Sequence, residues 1–146
     1  GLYIEFTHPG LFFPGIAGLW GRPLWVFYVN RGQGIASCGL RDKDHAILEF
    51  QPANKAYRLT PTHGFRTLIK RLSGRRAARY EPFLPQAAGA AQELRVRAAD
   101  LLLQETHRSQ QLRTEVRYWT VPNEPIAALA RRVTITNLEE ALRRIR

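Results

Sequence analysis

Punctuation is what most constrains this chain. From residue 24 to residue 72, short apolar, β-branched and aromatic runs are cut by glycine or proline about every ten residues. The run "LWVFYVNR" (24–31) is continuous and aromatic and reads as a buried strand. Gly32–Gly34 then turns the chain, and "IASCGL" (35–40) reads as a second strand. "HAILEFQP" (45–52) is a third, stopped by Pro52, and "KAYRLTP" (55–61) a fourth, stopped by Pro61. "GFRTLIKRL" (64–72) is a fifth, with Phe65, Thr67 and Ile69 on one face and Arg66, Leu68 and Lys70 on the other. This spacing predicts a mainly β fold, an antiparallel β-sandwich with little helix, in a single domain over 1–146.

Beyond residue 72 the pattern softens. "SGRRAARYEPFLPQAAGAA" (73–91) reads as a long exposed loop. Residues 92–106 carry two patterns at once. Leu94, Ala98, Leu101 and Leu102 fit a helical stripe, while Leu94, Val96 and Ala98 alternate with arginines as in a strand. "LRTEVRYWTV" (112–121) alternates cleanly, with Leu112, Thr114, Val116, Tyr118 and Thr120 on one face. A β-hairpin with its loop near "HRSQQ" (107–111) follows from that, and "PIAALARRVTITN" (125–137) adds a strand centred on Arg132–Thr136. At the end, Asn137 with Glu140 three residues on is a capping pattern that favours a short helix over 138–146; the rival is a strand in "LRRIR".

Composition removes several function classes. Cys38 is the one cysteine, so no intrachain disulfide and no cysteine-based zinc site is expected, and a reducing, cytoplasmic setting is the simplest inference. The histidines (His8, His45, His63, His107) lack metal-ligand spacing, so no metal and no cofactor is expected. No window of about 20 apolar residues is present, and no membrane partner is expected. The apolar start, "GLYIEFTHPGLFFPGIAGLWG", lacks a basic n-region and is broken by proline and glycine, so it reads as folded structure.

The glycine loop Gly32–Gly34 is not a phosphate loop. No Lys-Ser/Thr follows Gly39, the flanks read as strands, and Ser37 stands where a dinucleotide fingerprint needs its third glycine. The carboxylates Asp42, Asp44, Glu49, Glu81, Glu93 and Glu124 are scattered, and no nucleophile elbow surrounds Ser37 or Ser73. Trp25 and Tyr118 lie in apolar strands and read as core. Tyr57 and Tyr80, at strand or loop edges, are better placed to stack on sugar rings.

Three segments resemble a known family when taken in order: residues 30–58, "GFRTLIK" (64–70) and residues 113–137. The matching elements are the glycine turn Gly32–Ile35, the charged turn Arg41–Asp44, the strand Gly64–Lys70, the "YWTVPNEP" element Tyr118–Pro125 and "VTITN", Val133–Asn137. Together they resemble the N-terminal β-sandwich of inverting glycoside phosphorylases, the cellobiose and β-oligoglucan phosphorylases. The resemblance implies a sandwich that packs against an (α/α)-barrel holding the catalytic aspartate and the phosphate site. That barrel is absent here, so the resemblance implies a glycosyltransferase-type parent with no activity in this chain alone. It also implies an incomplete sandwich, the N-terminal part of a larger architecture, with a sheet edge open to self-association or to a catalytic partner domain.

The expected function is therefore a non-catalytic, carbohydrate-associated domain that contacts a β-glucan or another oligosaccharide. Arg31, Gln33, Asn54, Tyr57 and Arg66 are the candidate sugar-facing residues, each of which also fits plain turn or strand-face structure. Two other classes stand beside this one. A net charge of +10 and the cluster "KRLSGRRAAR" (70–79) suit a basic nucleic-acid-binding module, in which neutralising Arg75, Arg76 and Arg79 removes salt-dependent binding. A structural or oligomerisation domain is the third, and it predicts a stable multimer in sedimentation.

Overall fold

The computed structural model describes residues 4–6, 15–17, 24–29, 34–40, 42, 44–49, 52, 54, 55, 58, 65–73, 76–84, 88–97, 100–121, 126, 128–141, 144 and 145. Twelve strands run through them in chain order. They are β1 (Ile4–Phe6), β2 (Gly15–Ala17), β3 (Leu24–Val29), β4 (Gly34–Leu40), β5 (Ala46–Leu48) and β6 (Ile69–Ser73), then β7 (Arg76–Tyr80), β8 (Ala90–Val96), β9 (Asp100–His107), β10 (Leu112–Thr120), β11 (Leu129–Asn137) and β12 (Arg144–Ile145). The fold is mainly β, and every pairing is antiparallel. Three sheets result, with strand orders β1-β8-β9-β10-β11, β2-β3-β4-β5 and β12-β6-β7. Among the described residues no helix is long and apolar enough to cross a membrane.

The five-stranded sheet organises the rest. Along β10 burial alternates at every residue, so Leu112, Thr114, Val116, Tyr118 and Thr120 are buried and Arg113, Glu115, Arg117 and Trp119 are half-buried on the opposite face. β9 repeats the pattern with Leu101, Leu103, Glu105 and His107 inward. A hydrophobic core forms on that inner face from Leu94, Leu101, Leu103, Val116 and Tyr118 together with Cys38 of β4 and Phe83. Leu40, Leu48, Val96, Leu129 and Val133 pack against it, so the core draws on both the five-stranded and the four-stranded sheet. Burying such side chains stabilises by about 1.5–3 kcal/mol each, which fixes the register because a one-residue slip would turn Leu101, Leu103 and Leu112 outward.

The β9–β10 hairpin closes where the sequence places it. His107 pairs with Leu112, and the Gln111 N–H donates to the Arg108 carbonyl at 3.1 Å. Gln111 takes the left-handed conformation there (φ 51°). β3 and β4 form an antiparallel pair with Val29 opposite Gly34; the intervening turn lies outside the described residues.

Three expectations are corrected and one ambiguity is resolved. "KAYRLTP" was expected as a strand, but Asn54, Lys55 and Arg58 are helical, with the Lys55 N–H donating to the Pro52 carbonyl at 2.9 Å. The strand expected over 64–72 begins only at Ile69, because Thr67 is drawn off by Arg131, whose guanidinium donates to Thr67 Oγ1 at 2.5 Å. The expected loop 73–91 holds β7, which pairs with β6 from Ile69↔Tyr80 to Ser73↔Arg76. Within 92–106, residues 92–96 belong to β8 and 100–106 to β9, which resolves the helix–strand ambiguity there.

The chain end corrects the favoured helix as well. Asn137 does act on the residues after it: its Oδ1 accepts from the Glu139 N–H at 3.2 Å and its Nδ2 donates to the Ala141 carbonyl at 2.8 Å. These bonds shape a bend, and Arg144–Ile145 then pairs with β6 as β12. A short polar side chain serves a turn as readily as a helix cap.

Candidate functional site: the outer face of the five-stranded sheet

Two polar clusters lie on opposite faces of the five-stranded sheet, and their surroundings assign them different roles. The inner one is centred on Glu105, which is fully buried (0% exposed). Gln92 is opposite Glu105 across β8–β9, and its Nε2 donates to Glu105 Oε2 at 2.7 Å. The Phe83 N–H donates to the same oxygen at 2.6 Å, and the Tyr80 hydroxyl donates to Oε1. Burial pushes the Tyr80 phenol far above the ordinary tyrosine range, and the hydrogen bond to Glu105 pushes it further. The Tyr80 ring stands edge-on to the buried His107 with centroids 5.2 Å apart, and Ser109 Oγ lies 3.2 Å from His107 Nδ1. Both Glu105 oxygens are occupied, and the carboxyl is closed off from solvent. The cluster therefore anchors the turn Glu81–Leu84, in which Phe83 holds a left-handed backbone (φ 66°). Tyr80, read from sequence as an exposed edge aromatic, belongs to this anchor instead.

The outer face is where the sheet opens. A recess of about 190 Å³ is lined by Arg95, Arg97, Asp100, Leu102, Glu115, Arg117, Arg132 and Thr134. Strand pairing explains the set. Arg95 lies opposite Leu102, Leu102 opposite Arg117, and Arg117 opposite Arg132, so one row crosses β8, β9, β10 and β11. Glu115 and Thr134 form the adjacent pair in the next row. Asp100 receives two cations on one oxygen: Arg97 at 3.6 Å and Arg117 in closer contact. The Arg117 guanidinium also lies over the Trp119 ring, 5.7 Å from its centroid, which sets an aromatic flank on the rim.

This wall combines forked donors, carboxylate acceptors, a hydroxyl and apolar patches from Leu102 and Trp119. These groups are the kinds that form hydrogen bonds and ion pairs with a polar ligand. Among the described residues no group of three metal-ligating side chains occurs.

Arg31, Gln33 and Tyr57 lie outside the described residues. Asn54 is exposed, and its Oδ1 accepts from the Lys55 N–H at 2.8 Å. Arg66 is half-buried in an ion pair with Glu81. Neither Asn54 nor Arg66 lines the recess. Sequence reasoning missed Asp100, Glu115, Arg117 and Arg132 as a group. The signal was the phase of the alternation, which puts Glu115 and Arg117 on the face away from Val116 and Tyr118. No family model and no curated protein matches the chain.

Proposed function

We propose that this chain is a non-catalytic, carbohydrate-associated β-sandwich domain that holds an oligosaccharide against the outer face of its five-stranded sheet. The observation that carries the reading is the recess over β8–β11, with Trp119 on its rim. Sugar rings need planar polar groups for their hydroxyls and apolar surface for their C–H faces. Arg, Asp, Glu and Thr side chains supply the first here, and Leu102 the second, with Trp119 beside Arg117 at the edge of the recess. The resemblance to the N-terminal sandwich of inverting glycoside phosphorylases points the same way. On this reading, in a cytoplasmic setting, any catalysis belongs to a partner barrel domain, and Glu105 serves structure alone.

Isothermal titration with β-glucan and acidic oligosaccharides tests it. Binding heat is expected from the intact domain and is lost in Trp119→Ala. A titration in which no saccharide gives heat removes the reading.

A second reading rests on the β6–β7 hairpin. Lys70 and Arg79 are exposed and directly opposite each other, and Arg76 is exposed on the same strand as Arg79. That basic surface suits a nucleic-acid backbone, and it predicts affinity that falls steeply with salt and is lost in Arg76→Gln/Arg79→Gln. Binding of an oligonucleotide without a salt slope counts against it.

A further inference from the structure

The charge of the outer recess narrows what it can accept. Four arginines line it against two carboxylates, an excess of two positive charges. Their arrangement is more informative than their number. Arg117 and Arg132 stand directly opposite each other across β10–β11. Side chains in that relation start only about 5 Å apart, and like charges so placed destabilise a sheet pair. Arg117 is engaged by Asp100. Arg132 is exposed, and among the described residues no carboxylate pairs with it. Two steps along β10 on the same face, beyond Glu115, the buried Arg113 Nε has no hydrogen-bond acceptor among the described residues. The face thus holds more forked donors than acceptors, and an incoming anion would convert the Arg117–Arg132 repulsion into attraction.

We infer that the outer face of β8–β11 is a binding site for a carboxylate-bearing oligosaccharide, with the carboxylate seated between Arg117 and Arg132. The inference rests on the oligosaccharide reading above and adds the class of sugar. The row from Arg95 to Arg132 crosses three inter-strand spacings, about 14 Å, which suits several linked sugar rings rather than one. Glu115, Asp100 and Thr134 then accept from ring hydroxyls, and Leu102 meets an apolar ring face. The two carboxylates keep the site from being a general polyanion trap.

Calorimetry on the intact chain decides the matter, with a tetrasaccharide of galacturonic acid set against the neutral cellotetraose. Arg132→Gln keeps the side chain polar but removes the charge and the forked donors; Arg76→Gln on β7 is the control. The acidic sugar is expected to bind at least about tenfold more tightly than the neutral one, and Arg132→Gln to erase that preference while circular dichroism stays unchanged. Equal affinity for both sugars overturns the inference and leaves the oligosaccharide reading standing. Failure of both sugars to bind removes that reading too. Acidic-sugar binding that survives Arg132→Gln but is lost in Arg76→Gln overturns it by moving the site to the hairpin.

Discussion

At the scale of single residues, the Glu105 anchor carries the sharpest consequences. Removing its carboxyl in Glu105→Ala strands the Tyr80 hydroxyl and the Phe83 N–H and leaves the Gln92 amide only its 3.3 Å bond to the Leu84 carbonyl. The expected loss is about 3 kcal/mol or more, read from urea unfolding. Tyr80 adds a pH dependence. Its phenol is held protonated in the folded state well above the pH at which an unfolded tyrosine ionises. Its stabilising contribution is therefore complete below about pH 10 and declines as the pH rises beyond that, because only the unfolded chain gains by ionising. The gap in unfolding free energy between wild type and Tyr80→Phe should accordingly hold steady from about pH 8 to pH 9 and narrow between about pH 10 and pH 11.5. A constant gap across that range would show that the phenol is not shielded. Cys38 follows the same logic: it is 3% exposed, and burial raises its thiol pKa. Native protein should react with a thiol reagent far more slowly than urea-unfolded protein.

At the scale of elements, strand alternation decides which side chains matter for stability. Leu103 is buried on the core face of β9, while its neighbour Leu102 faces the outer recess. Leu103→Ala should cost about 2–5 kcal/mol, and Leu102→Ala clearly less. Comparable losses at both positions would mean that the outer face is itself covered. The same alternation explains what the sequence disclosed. β10 was legible because its apolar and polar residues keep strict phase over nine positions. β9 was ambiguous because Leu101, Leu102 and Leu103 run together and hide the phase. Glu105 and His107 were missed for the same reason: they continue the buried phase of Leu101 and Leu103 but are polar, and their partners Tyr80, Phe83 and Gln92 come from distant segments. β7 escaped because "RAARY" has four exposed residues of five and so lacks an apolar face to read.

Across the whole molecule, the mainly antiparallel β fold was written in the turn spacing, whereas the outer recess was not. Its walls come from four strands spread over residues 95–134, and only their register aligns them. The basic cluster 70–79 was legible as a run, whereas the arginines of the outer face, scattered from 95 to 132, were not. Among the described residues, exposed cations gather on the β6–β7 hairpin, and on the outer face of β8–β11 arginines stand beside carboxylates. Isotope-edited NMR of the backbone amides, titrated with tetragalacturonate, tests the central claim most directly. The account predicts shifts confined to the outer-face residues Arg95, Leu102, Glu115, Arg117, Arg132 and Thr134 and their neighbours on β8–β11. Shifts centred on Lys70, Arg76 and Arg79 of the hairpin, or no shifts at saturating sugar, would contradict it.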